Sequence, residues 1–296
     1  MHRIDGEFLL AADEAGRERM KTRLIEKHGN LQETIVARSI LSRPIEGYFV
    51  GEGKKYILIC ATHHALESVT TNIAFLLADL LLEKRKGGNI NGVDCKLMLS
   101  KYCFLILSCV NPDGVELRYR GVSDSLLRER QLRMSGGDFS SWQANARGVD
   151  LNHNYDSGFL EYKRLEGERG IIPGPTLYSG EYPESEPETR GVANLIRTLS
   201  PASVVSLHTQ GEEIYYQSKD RKTARRAERL ASLCGYTVGI PEGTAAYGGL
   251  SDYAGSLGIP SFTLELGKGI NPLDECEIPQ IFSRVGEALA ILPTLL

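Results

Sequence analysis

The chain contains no apolar run of about 18 residues, so a helix able to span a membrane is excluded. It also lacks any C-x-x-C pair. Its six cysteines, Cys60, Cys95, Cys103, Cys109, Cys234 and Cys276, fall mostly inside apolar runs, where a thiol behaves as a small hydrophobe. They read as buried free thiols, not as a disulfide framework, which suits a reducing compartment. An excess of basic charge is missing too. The 34 Lys and Arg against 38 Asp and Glu leave −4, whereas a nucleic-acid-binding domain would leave a basic footprint. Residues 1–7 hold no apolar stretch closed by small residues, so the expectation is a cytoplasmic protein without a signal peptide. No G-x-S-x-G and no P-loop occurs; Lys268 between Gly267 and Gly269 does not make one. No internal repeat or low-complexity linker divides the chain, so residues 1–296 read as one domain.

The remaining composition, 42% hydrophobic, is that of a globular protein and permits a large core. Short apolar, β-rich runs at 56–61, 102–110, 203–207 and 261–266 predict buried strands. Between them, Leu66, Val69, Ile73, Leu76, Leu77 and Leu80 recur on one helical face, closed by Lys84-Arg85-Lys86 and Gly87-Gly88. The S-x-x-E spacing of Ser185 and Glu188 predicts a capping box opening a helix to about Leu199. Further helices are predicted over 221–234 and 278–295. Strands alternating with helices imply an α/β fold, a sheet covered on both faces. Residues 111–182 interrupt this pattern. They read as long functional loops around a site and include the single tryptophan, Trp142. Within them Asn111-Pro112-Asp113-Gly114 reads as a turn.

Polar residues gather where the strands end. The first predicted strand runs into His63-His64-Ala65-Leu66-Glu67, the third into His208-Thr209-Gln210, and the fourth carries Glu265 near its end. Open α/β sheets bind ligands at that edge. His64 and Glu67 are three apart at a helix start, so their Cβ atoms lie about 5–6 Å apart on one face. With His208 they form a two-histidine, one-carboxylate set that leaves a fourth position open on a zinc ion. Such a zinc polarises a carbonyl and lowers the pKa of its water to about 7. Glu265 is placed to act as general base and then as proton donor to a leaving amine. His63 has Leu66 three residues beyond it and is read as a non-ligand.

These residues sit in a wider pattern. Ser39-Ile40-Leu41-Ser42-Arg43-Pro44-Ile45, His64-x-x-Glu67, Asn111-Pro112-Asp113-Gly114, Gly148-Val149-Asp150-Leu151-Asn152, Ser206-Leu207-His208 and Phe262-Thr263-Leu264-Glu265 resemble, in order, the zinc metallocarboxypeptidase superfamily. The resemblance implies the carboxypeptidase A-like fold, a mixed, mostly parallel sheet of about eight strands flanked by helices. It also implies one Zn2+ per chain held by His64, Glu67 and His208, with Glu265 as the catalytic glutamate. The sequence departs from the family where arginines are expected. Asn152 is followed by His153, Leu66 fills the arginine position of His-x-Arg-Glu, and Gln143 follows Trp142. A neutral imidazole does not replace a bidentate guanidinium on a carboxylate.

The stretch from Trp142 to Tyr155 and the run from His208 to Tyr215 are similar to bacterial γ-D-glutamyl-diamino-acid endopeptidases, which cut the γ-D-Glu–diaminopimelate bond of cell-wall peptides. That likeness implies a muropeptide or peptide substrate, with no nucleic-acid or membrane partner. Expected catalytic residues are Glu265, His153 and Gln143. Here His153 is the favoured oxyanion donor, with Gln143, Arg147 or zinc alone as the other choices. Expected substrate-binding residues are Asn152, His153, Arg147, Gln210, Glu213, Tyr247, Ser251 and Asp252. The alternatives are a zinc carboxypeptidase of other peptides, a deacylase of N-acyl amino acids, or an inactive binding module. The intact His64, Glu67, His208 and Glu265 weigh against the last.

Overall fold

Residues Ile57, Ile59 and Ala61 face one apolar cluster while Leu58 and Cys60 face another. A strand buried on both faces loses the polar alternation of a surface strand, which is why this segment reads as a continuous apolar run. The structure, a computed structural model, describes residues 3–122, 126–217 and 221–296. Its strands are β1 (Gln32–Arg38), β2 (Pro44–Val50), β3 (Lys55–Ala61), β4 (Asn89–Ile90), β5 (Val93–Asp94), β6 (Tyr102–Leu107), β7 (Ser203–His208), β8 (Glu213–Gln217), β9 (Thr237–Val238) and β10 (Ser261–Glu265). Eight of them form one sheet in the order β1-β2-β6-β3-β7-β10-β8-β9, and β4 and β5 make a separate hairpin. The β6–β3, β3–β7, β7–β10 and β8–β9 pairs are parallel; the rest of the sheet is antiparallel. The expected mixed, mostly parallel sheet of about eight strands is the observed one.

Helices cover both faces. Glu14–His28, Val69–Lys84, Arg221–Cys234 and Ile278–Ala290 build one cluster; Pro187–Leu199 and Leu250–Ser256 build the other. Val69–Lys84 departs from the amphipathic reading, being buried on every side from Val69 to Leu82 between the sheet and two helices. Its one buried carboxylate, Asp79, is met by Lys27 Nζ at 2.7 Å and His28 Nε2 at 2.6 Å.

Several local expectations are corrected. Ser185 does not form a capping box. Glu186 is the N-cap residue, and Ser185 Oγ donates instead to Glu186 Oε1 at 2.9 Å. Asn111-Pro112-Asp113-Gly114 is the start of a helix, Pro112–Arg120, in which Asn111 Oδ1 accepts from Gly114 N at 3.0 Å and Pro112 fills the first turn. The supposed loop region 111–182 also contains helices Arg128–Ser135 and Phe159–Glu168. Trp142 is fully buried against Phe139, Val115 and Ala65, so it is core and not rim. The last helix stops at Ala290 and gives way to a 3-10 turn, Leu292–Leu295.

At the start of helix Pro187–Leu199, the fully buried Glu188 accepts from Ile40 N at 3.3 Å, and its Oε2 has no partner among the described residues. Burial pushes its carboxyl up to about 8, with the Glu186 and Asp113 charges adding to the shift. A folded pKa above the unfolded one makes this group's contribution complete below about pH 4 and lost as the pH rises towards 8. Glu188→Gln, which cannot ionise, should therefore melt higher than the parent at pH 8.5 and show no such advantage at pH 4.5. Each kcal/mol recovered should appear as about 2–4 °C. A melting difference that does not change with pH would contradict this assignment.

Candidate active site

Beyond Ala61 the chain leaves the sheet and turns through Ala65–Glu67, a 3-10 turn that places His64 and Glu67 side by side. β7, paired with β3, delivers His208 to the same edge. His64 Nδ1 lies 3.0 Å from Glu67 Oε1, and His208 Nδ1 lies 2.9 Å from Glu67 Oε2. One ligand atom from each of the three residues lies within 4.8 Å of the others. Two imidazole nitrogens and a carboxylate oxygen are a zinc-type donor set, close enough to converge on bonds of about 2.0–2.2 Å. The residues present fit the ion.

The outer nitrogen of His64 is held by a carboxylate that the motif reading did not single out. His64 Nε2 donates to Asp150 Oδ1 at 3.1 Å, and Asp150 is buried, its other oxygen accepting from Leu177 N at 3.1 Å. This is the usual second contact of a metal-binding histidine, fixing ring orientation and tautomer. Its one signal in the sequence was its place in Gly148-Val149-Asp150-Leu151-Asn152. Burial alone would lower the His64 pKa, but the Glu67 and Asp150 charges outweigh it and hold the pKa well above the ordinary value. Burial would raise Glu67, yet the His64 and His208 charges bring it down to about 2. Two buried carboxylates thus demand positive charge at the place where a metal ion would supply it. His63 turns away, its Nε2 lying 2.9 Å from Tyr155 Oη, in keeping with its reading as a non-ligand.

A recess of about 670 Å³, open to solvent, begins at the triad and extends over the ends of β10 and β8. Glu265, paired in register with His208, lies on its wall. Burial, reinforced by Glu67 and opposed by His208, pushes the Glu265 carboxyl up to about 7, a value suited to a group that must take up and release a proton. A bound cation acts in the opposite direction. Asn152, His153, Ser251 and Asp252 also line the recess, as expected, together with Tyr215, Gln217 and Thr263, which the sequence reading missed. Asp252 Oδ2 accepts from Gly249 N at 3.0 Å, and burial pushes its carboxyl up to about 6. No Lys or Arg lines the recess among the described residues.

Five expected residues are placed elsewhere. Arg147 is locked to the buried Glu186, with Nε to Oε2 at 3.0 Å and Nη2 to Oε1 at 2.9 Å, because that carboxylate needs a cation. Gln143 lends its backbone carbonyl to Ala65 N, while its side-chain oxygen accepts from Thr176 Oγ1 at 2.8 Å, away from the recess. Glu213 is occupied by Tyr215 Oη at 2.7 Å. Tyr247 offers its backbone oxygen to His153, its ring packs on Gly158, and it does not line the recess. Gln210 is exposed and outside the wall. His153 itself changes role. Its ring stacks on Tyr162 at 4.1 Å and Nδ1 donates to Tyr247 O at 2.9 Å, while burial lowers its pKa. A neutral ring donating from Nδ1 has only an acceptor at Nε2. It can receive a substrate N–H but cannot stabilise an oxyanion.

A family model described as zinc carboxypeptidase matches residues 18–283. The chain is 33% identical over 270 residues to gamma-D-glutamyl-L-diamino acid endopeptidase 1 of Lysinibacillus sphaericus, covering 88% of this chain and 66% of that protein. It therefore spans about two thirds of that relative's length. Over 110 residues it is 32% identical to murein peptide amidase A of Escherichia coli (strain K12), covering 35% of this chain and 34% of that one. Among solved structures, thrombin activatable fibrinolysis inhibitor superposes with a TM-score of 0.77 and 20% identity over 98% of this chain and 75% of that one. At that identity the likeness shows the fold alone.

The Asp150 contact has a measurable consequence. Asp150→Asn keeps the shape but removes the charge behind His64, and should weaken zinc binding by about 10- to 100-fold in a chelator competition. Unchanged affinity would make Asp150 a purely structural residue.

Proposed function

The chain belongs to the zinc carboxypeptidase family and is a zinc metallopeptidase, and on that premise we propose that it hydrolyses the γ-D-glutamyl–diaminopimelate bond of cell-wall peptides. The observation that carries this reading is the charge of the recess. A pocket that selects a free terminal α-carboxylate needs a cation at its end. Here the ionisable wall is Glu67, Asp252, Glu265 and histidines. Diaminopimelate brings a second ammonium on its side chain, for which Asp252 is the natural partner. The acceptor Nε2 of His153 can receive an N–H of the substrate, while the Asn152 amide and the Ser251 hydroxyl can donate to the carboxylates of the diamino acid. The similarity to the L. sphaericus endopeptidase and to murein peptide amidase A supports the same substrate class.

In the proposed reaction, His64, Glu67 and His208 would hold the zinc ion, which would serve as a Lewis acid towards the scissile carbonyl. The Glu265 carboxylate takes a proton from the attacking water and returns it to the leaving amine, so the carboxylate is regenerated at the end of the cycle. Asp252 fixes the departing diamino acid. The chain acts as one catalytic unit over residues 1–296. Its cysteines are all free and five of the six are buried, which supports work in a reducing compartment, such as recycling of cell-wall peptides.

Glu265→Gln should bind zinc as the parent does and lose at least about 10²-fold in turnover; parent-like turnover would move the proton transfers to another group. The substrate assignment is tested by incubating equal amounts of enzyme with L-Ala-γ-D-Glu–diaminopimelate and with α-linked peptides ending in Phe, Leu or Lys, reading products by mass. Cleavage of the γ-bond should dominate. Faster loss of the α-linked terminal residue would return the protein to the ordinary carboxypeptidases.

A further inference from the structure

A γ-glutamyl linkage leaves free the α-carboxylate that an α-linkage consumes. Its acyl residue is joined through the side-chain carboxyl, so the α-carboxylate stays free near the scissile carbonyl, on the side away from the leaving amine. The sheet order fixes where that side lies. His64 and Glu67 come from the end of β3 and His208 from β7, and the recess opens from them over β10 and β8. Across β3 in the other direction is β6, and the helix that follows it, Pro112–Arg120, packs directly on the metal-bearing turn Ala65–Glu67.

That helix carries a partly buried arginine with no acidic partner. Arg118 Nη1 donates to Ser68 Oγ at 3.2 Å, one residue beyond Glu67, and its guanidinium lies 4.6 Å over the Tyr119 ring. Tyr119 is itself fixed, with Oη 3.0 Å from Ser68 Oγ and donating to Glu275 Oε1 at 3.0 Å. Arg118 Nε is enclosed without an acceptor, and no ion pair involves Arg118 among the described residues. Arg43, Arg120, Arg147 and Arg284 are each paired with a carboxylate. A guanidinium held in a fixed plane, partly desolvated and lacking its counter-ion, is half of a carboxylate site.

We propose that Arg118 receives the free α-carboxylate of the γ-linked glutamyl residue and thereby sets a preference for isopeptides, an inference that rests on the substrate reading above. The recess then takes the diamino acid on one side of the metal, its side-chain ammonium towards Asp252, and Arg118 takes the free α-carboxylate of the acyl residue on the other.

The test uses the zinc-loaded enzyme and two tripeptides, L-Ala-γ-D-Glu–diaminopimelate and the same peptide with the glutamyl α-carboxyl converted to carboxamide. A charge-assisted hydrogen bond worth about 1.5–3 kcal/mol predicts that the parent cuts the carboxylate form with kcat/KM about 10- to 100-fold higher. Arg118→Gln should lose that preference, mainly through a raised KM for the carboxylate form, and Arg118→Lys should restore part of it. Zinc content and melting temperature confirm that each variant is folded. Equal kcat/KM on the two peptides in the parent, or an equal fractional loss on both in Arg118→Gln, overturns the role of Arg118 while leaving the γ-bond assignment standing. A parent enzyme that cuts neither γ-peptide overturns the substrate reading and this inference with it.

Discussion

Two carboxylates buried at the end of a parallel sheet set the terms for the rest of the site. Glu67 lies between the Nδ1 atoms of His64 and His208, and Asp150 holds the far side of His64. An isolated buried carboxylate is so costly that it would normally take up a proton. Here histidine charges keep Glu67 and Asp150 ionised instead. The arrangement is stable only with positive charge between the rings, and a divalent ion answers that need with the geometry already in place. Glu265 lies at the margin of this balance, where burial, reinforced by Glu67, raises its pKa by more than the His208 and His64 charges lower it. The same fold therefore produces an ionised ligand carboxylate and a proton-exchanging one within a single edge.

Charge also divides the surroundings of the metal. On the recess side the only acidic group beyond the triad and Glu265 is Asp252, and basic side chains are absent among the described residues. On the side towards β6, Arg118 is held against Ser68 and Tyr119 without a counter-ion among the described residues. In the proposed reading, a substrate laid across the metal meets the Asp252 carboxylate at its leaving end and the Arg118 guanidinium at its acyl end, partners for the side-chain ammonium of the diamino acid and the free α-carboxylate of the γ-linked glutamyl residue.

Much of this was readable in the sequence, for identifiable reasons. β3, β6, β7 and β10 are central and buried on both faces, so they stand out as apolar runs. β1 and β9 lie at the edges of the sheet and are largely exposed, and β2 and β8 beside them are only partly buried, so none gives such a signal. His64 and Glu67 were legible because a local spacing of three fixes their geometry. Residues whose roles depend on partners far along the chain were not. Asp150 meets His64, and Arg147 is taken by Glu186, only once loops from different strands are brought together. His153 lines the recess, but the state of its ring depends on one backbone contact, Tyr247 O, that no motif encodes. Trp142 failed for the opposite reason, since a lone tryptophan in a polar stretch resembles a rim residue until Phe139 and Val115 are seen around it.

Everything above depends on His64, Glu67 and His208 holding one zinc ion while Asp150 keeps His64 in place. Diffraction from crystals grown with zinc, with anomalous differences collected at the zinc edge, addresses it directly. One strong peak per chain is expected, bonded at about 2.0–2.2 Å to His64 Nδ1, His208 Nδ1 and the Glu67 carboxylate, with His64 Nε2 still on Asp150. A peak bound instead through His63, or no peak between the three residues at saturating zinc, would contradict it.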